Sequence, residues 1–245
     1  MEKNLGFTRT LLLPWLDAVA AFSAETHDPG EMRARLEPVL AHDLAGAESR
    51  RKAMGVLIQI WVKSGEIAPD LHAEAVAWFQ ATPIASDRLW LHYGLALVRF
   101  PFFRACAAAI GQFGRYGQAI TTRMVKQRLV AELGQLGDIK RSTERVMASL
   151  RGWGILTDSE QRNAYILQRA ALAASSVDLE VWLLACALHA HPAAELTFAD
   201  LLHLPELVPF RFTVTVDDLR SRPRFAVQRQ GGGWDMVRLL SSAAG

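Results

Sequence analysis

Residues 142–156 read STERVMASLRGWGIL, and the way this stretch folds decides the reading of everything around it. Thr143, Val146, Met147 and Leu150 are spaced i, i+3, i+4 and i+7, so on a helix they share one apolar face that packs inward. Half a turn away come Arg141, Arg145 and Ala148, with Ser142 and Ser149 beside them. That second face carries cations and small polar groups and no large hydrophobe. Gly152 and Gly154 bracket Trp153, and the spacing predicts that the helix ends there and a short apolar strand, Trp153–Leu156, follows. The glycines allow the chain to leave the helix, and Trp153 then turns into the core as an anchor.

Upstream, two more helices are predicted. Pro101 is suited to a first helical position and opens PFFRACAAAIGQFG. In ITTRMVKQRLVAELG, Thr121 or Thr122 caps, Val125, Leu129 and Leu133 form the stripe, and Gly134 terminates. QLGD (135–138) reads as a tight turn, with Asp138 as the N-cap of the third helix. Downstream, TDSEQRN turns and AYILQ returns as a second strand.

Three helices on short turns, the third running into a strand pair, resemble the winged helix-turn-helix family of DNA-binding domains over residues 101–168. The residues that carry the resemblance are TTRMVKQRL, the turn GQLGD and STERVMASLRGWGIL. The resemblance implies that the third helix enters the major groove and that the wing touches flanking backbone. It nominates Lys140, Arg141, Ser142, Arg145 and Ser149 on that helix and Arg162 on the wing. Thr122, Arg123 and Lys126, at the start of the second helix, would meet phosphates. Arginine suits phosphates and guanine edges, and small side chains permit close approach. A helical region attached to a winged helix is also the general plan of BrxA-type accessory proteins of bacterial BREX phage-defence systems.

Charge supports a polyanionic partner. From Arg99 to Arg169 there are 12 Lys/Arg and 5 Asp/Glu, a balance of +7, within a chain whose total is +2; the rest is therefore acidic. Against this, the wing carries Asp158 and Glu160 beside Arg162, and Glu144 borders the reading face. Winged helices also serve as protein-binding modules. The competing expectation is a non-enzymatic adaptor subunit whose winged helix and helical region contact proteins in a larger complex.

The flanks complete a mainly α fold in three parts: a helical N-terminal region (1–98), the winged helix-turn-helix (99–169), and a small α+β C-terminal region (170–245) with a β-hairpin. Before the central part, LLLPWLDAVAAFSAE, GEMRARLEPVLAHDL, AESRRKAMGVLIQIWVKSGEI, PDLHAEAVAWFQAT and SDRLWLHYGLALV all read as helices, the last starting at a Ser86 or Asp87 cap. After it, DLEVWLLACALHA is helical and FRFTVTV alternates as a strand. VDDLRSRP makes one helical turn, and RFAVQRQGGGWDMVRL a hairpin about Gly231–Gly233.

Few other chemistries find a motif. Cys106 and Cys186 lie in small-residue helical runs and read as buried, unpaired thiols without zinc or redox spacing. His189, His191 and His203 have no Cys or paired carboxylate to complete a metal site. GGGW lacks the Lys-Ser/Thr of a phosphate loop, and Arg50-Arg51-Lys52 reads as a solvated helix start. No apolar run is both long and uncharged enough to span a bilayer, which needs about 20 residues, and the start lacks a secretory cleavage signal. The expectation is a cytoplasmic, non-enzymatic protein without cofactor or metal. Its partner is double-stranded DNA, and its flanking regions serve a protein partner or a homodimer, with no membrane contact.

Overall fold

The computed structural model describes residues 7–82, 84–135 and 137–240. Among these the chain forms eleven α-helices and three small sheets of two or three strands, a mainly α architecture with an α+β element at the C-terminal end. The first six helices are α1 (Leu13–Ser23), α2 (Pro29–Ala41), α3 (Ala47–Trp61), α4 (Pro69–Ala81), α5 (Ala85–Arg99) and α6 (Pro101–Gly114). Then come β1 (Ile120–Thr121), α7 (Thr122–Leu133), α8 (Ile139–Gly152), β2 (Leu156–Asp158) and β3 (Ala164–Leu167). The last part comprises β4 (Leu172–Ala173), α9 (Val177–Ala190), β5 (Glu195–Thr197), α10 (Phe198–Leu202), β6 (Phe210–Arg211), α11 (Val216–Arg220), β7 (Phe225–Arg229) and β8 (Asp235–Leu239).

Helix α5 is the axis of the molecule. Every residue from Leu89 to Val98 is buried, because α1, α3, α4, α6 and α9 surround it. Its closest neighbour, α9, is buried from Leu179 to Leu188. Gly94 makes that approach possible, since a Cβ there would stand 2.5 Å from the Trp182 ring. At Phe100–Pro101 the chain bends by 116° into α6, because proline cannot continue the hydrogen-bond ladder of α5. No single helix among the described residues is long and apolar enough to cross a membrane. The buried side chains form one cluster running from Phe7 to Val237, so all three segments contribute to the same core. Cys106 and Cys186 lie in it, free and buried.

Three local expectations are corrected. Asp87 does not cap α5, whose N-cap residue Ile84 has no side-chain cap. Its buried carboxylate instead accepts bonds from the Ser175 backbone N–H (3.1 Å), the Ser175 hydroxyl and Thr82 Oγ1, fastening α5 to the loop before α9. FRFTVTV contributes only Phe210–Arg211 to a sheet, in parallel with β4. The buried Glu180 carboxylate takes the backbone N–H groups of Thr213 (2.6 Å) and Val214 (2.8 Å) and the Thr213 hydroxyl, so those groups have no need of a neighbouring strand. The strand expected at Trp153–Leu156 starts only at Leu156. Gly154, with φ +76°, ends α8 in a Schellman turn: its N–H bonds the Arg151 carbonyl (3.1 Å), and the Ile155 N–H bonds that of Leu150 (2.9 Å).

Candidate nucleic-acid interface

Helices α6, α7 and α8 pack together, and β1, β2 and β3 close one side as an antiparallel sheet in the order β1-β3-β2. Leu156 lies opposite Leu167 and Asp158 opposite Tyr165, while Ile120 pairs with Tyr165 on its other edge. Thr121 caps α7 by accepting the Met124 N–H (3.2 Å), and Gly134 ends it at φ +79°. The α7 stripe stops at Leu129, since Leu133 is exposed. Leu136, in the turn 135–138, lies outside the described residues. Asp138 precedes α8 without a side-chain cap, and its carbonyl accepts the Ser142 N–H (3.0 Å).

The inward seam of α8 is Ile139, Thr143, Val146, Met147 and Leu150, all buried. Thr143 returns its hydroxyl proton to the Ile139 carbonyl (2.6 Å), which permits a polar group in that seam. The exposed line runs Lys140, Arg141, Glu144, Ala148 and Arg151. Ser142 and Ser149 do not join it, because both are buried. Ser149 accepts the Leu11 N–H (2.9 Å) and donates to the Arg145 carbonyl (2.9 Å). The indole of Trp153 donates to the Leu11 carbonyl (2.9 Å), while Phe7 stacks on Phe103. Residues 7–11 therefore form a strap that occupies the Ser149 side of α8. Arg145 is half-buried, and its Nε is buried without a hydrogen-bond partner among the described residues.

All three exposed α8 cations have acidic neighbours: Lys140 stands 4.0 Å from Glu144, Arg141 3.9 Å from Asp138, and Arg151 pairs with Asp158 at the wing. Pairs this exposed are screened by solvent and hold their partners weakly, so a phosphate can displace them. Arg151 itself was not nominated by the sequence, although it continues the spacing of Arg141, Glu144 and Ala148. On α7, Arg123 is exposed and Lys126 and Thr122 are half-buried; neither cation forms a hydrogen bond or ion pair among the described residues. Exposed Arg162 on the wing is likewise unpaired among them.

Charge in the N-terminal helices is more fully committed. Arg50 bonds Glu37 and the carbonyls of Leu44 and Ala45, and Arg51 and Lys52 share Glu48, holding its carboxyl at about 2. A groove of about 740 Å³ lies between the start of α4, the end of α9 and β8. Its Arg222 and Arg224 are paired with Asp178 and Glu74. Burial lowers the pKa of His189 on its wall. No group of three or more His, Cys, Asp or Glu side chains among the described residues could hold a metal ion. No family model, curated protein or solved structure matches this chain.

Proposed function

We propose that this chain is a cytoplasmic double-stranded DNA-binding protein in which residues 101–168 act as a winged helix-turn-helix and α8 enters the major groove. The observation that carries the reading is the element order α6-β1-α7-α8-β2-β3, with the sheet closed as β1-β3-β2 and a cationic outer face on α8. In this reading Lys140, Arg141 and Arg151 face the groove, and Arg123, Lys126 and Thr122 meet phosphates at the amino end of α7, where the helix dipole also favours an anion. Arg162 reaches flanking backbone. Ser142 and Ser149 serve the fold rather than the ligand.

The adaptor reading draws on a different observation. Tyr116 is 80% exposed, and a neighbouring groove of about 410 Å³ is lined by Asp158 and Glu160 of the wing. A mobility-shift titration of random duplex at two salt concentrations separates the two. DNA binding predicts a complex at low salt that weakens steeply with salt. Arg123→Ala/Arg141→Ala should flatten the slope of log K against log salt by about 0.9 per lost contact. A parent protein that binds no duplex at low salt overturns the proposal in favour of the adaptor.

A further inference from the structure

With Ser142 and Ser149 buried and Arg145 half-buried, the side chains that remain outward on α8 are Lys140, Arg141, Glu144, Ala148 and Arg151. At about 3.6 residues per turn, Glu144 falls in the middle of that arc. Lys140 and Arg151 lie to one side of it, Ala148 and Arg141 to the other. The sequence placed Glu144 at the border of the reading face; burial of the two serines moves it to the centre.

The fold gives this carboxylate little to do. Glu144 lies beyond the first turn of α8, which begins at Ile139, so the helix dipole does not select an acid there. Its ion-pair partner among the described residues is Lys140, at 4.0 Å and with both side chains exposed. Lysine four residues before glutamate is also the weaker of the two orders on a helix. At the centre of a face that meets phosphates, an acid opposes binding to any duplex recognised by charge alone. Its place there is favourable only if a base edge offers it a donor.

Building on α8 as the helix that enters the groove, we propose that Glu144 reads cytosine and so makes the interface selective for duplexes with a C·G pair at one fixed position. In the major groove cytosine shows a lone donor, its N4 amino group. Guanine shows the acceptors N7 and O6, and thymine the acceptor O4, all of which repel a carboxylate. Adenine has a donor at N6, but the acceptor N7 stands beside it. A carboxylate only accepts, so cytosine satisfies it and the other bases leave it opposed or half-paired. Arg141 supplies the complement, because its guanidinium only donates and suits guanine N7 and O6. It precedes Glu144 by three residues, about 4.5 Å along the helix. Successive base pairs are about 3.4 Å apart, so the two side chains reach neighbouring pairs. Ala148, on the same arc, leaves room for the α8 backbone to approach the bases.

Selection from a pool of randomised duplexes tests this with the full chain, Glu144→Ala and Glu144→Gln, followed by anisotropy titration of the selected duplex and its single-base variants. The parent should enrich cytosine at one position, and replacing that C·G pair should weaken binding roughly 5- to 150-fold, the range of one base contact. Glu144→Ala should lose the preference at that position alone. Its salt slope should match the parent, since no cation is removed. Glu144→Gln should move the preference there from cytosine to adenine, because an amide matches N6 and N7 together. A glutamate that merely solvates the helix would produce no such exchange. Both variants should melt like the parent, since the side chain is exposed. A parent that binds duplex with a steep salt dependence but enriches no base overturns the inference and leaves the duplex reading standing. So does a Glu144→Ala variant that keeps every preference of the parent, whether or not it binds more tightly. A parent that binds no duplex at low salt overturns both.

Discussion

Helices α5 and α8 are nearly equal in length, at 15 and 14 residues, yet they do opposite work. Around α5 there is almost no solvent, so its side chains answer only to packing. α8 is divided lengthwise: one face lies in the core, one flank lies under the strap at Leu11, and the remainder is a solvated row of charge. Function has room only on that remainder. Substitutions in α5 and on the inner side of α8 should therefore change stability, whereas those on the outer row should change binding alone.

The largest effect is expected at Trp153, where α8 ends. Trp153→Ala removes a buried ring packed against Phe103 and leaves the Leu11 carbonyl without its donor. A loss of roughly 3–5 kcal/mol should appear in urea denaturation; an unchanged midpoint would show that α8 is not anchored there. Gly94→Ala probes α5 in the opposite sense, by adding volume. Its Cβ meets the Trp182 ring, and overpacking of this kind costs about 1–3 kcal/mol. A variant as stable as the parent would mean that α5 and α9 can separate without penalty, which breaks the contrast at its α5 end.

Ser149→Ala should cost less, about 1–2 kcal/mol, since it strands one buried backbone N–H of Leu11. Its duplex affinity and salt slope should match the parent, and a changed slope would return Ser149 to the reading face. His92, within α5, gives a graded effect. Its Nδ1 accepts the Trp61 indole N–H (3.0 Å), so in the neutral ring the proton sits on Nε2, bonded to Asp17 (3.1 Å). Burial lowers its pKa below the usual 6.5, Arg88 adds to that, and Asp17 partly opposes it. A lowered folded pKa means stability that is full above about pH 6.5 and declines as the pH falls toward the folded value. The melting temperature should fall between pH 7 and 5, and the fall should be shallower in His92→Gln. The smallest effect on stability is expected for Arg123→Ala/Arg141→Ala, within about 0.5 kcal/mol of the parent. Substantial unfolding in that pair would erase the distinction between the faces of α8.

Features with a local cause were legible in the sequence. The α8 seam, the Thr121 cap, the Gly134 stop, the one-turn helix at Val216–Arg220 and the hairpin about Gly231–Gly233 each follow from residues within a turn of one another. What was not legible depends on partners far along the chain. Ser149 looked like a solvated reading residue because Leu11, its partner, is 138 positions away. FRFTVTV has the alternation of a strand, but a carboxylate on α9 outcompetes any neighbouring strand for its N–H groups. Asp87 has the residue type of a cap, yet it lies inside the first turn of α5 and serves a loop 88 residues later. For the candidate site, the cations were readable from charge and spacing, whereas the burial of Ser142 and half-burial of Arg145 follow from packing around α8.

The strap also sets an order of events during synthesis. Leu11 leaves the ribosome 142 residues ahead of Trp153, the group that bonds its carbonyl. At about 5–20 residues per second, that interval is roughly 7–30 s. For that time Leu11 lacks its α8 partners, whereas Phe7 can meet the Phe100 and Phe103 rings sooner, once α6 has emerged. The end of α8 is thus completed by a segment made long before it. Newborn protein should gain the Trp153–Leu11 clasp late, after Phe7 has met Phe103.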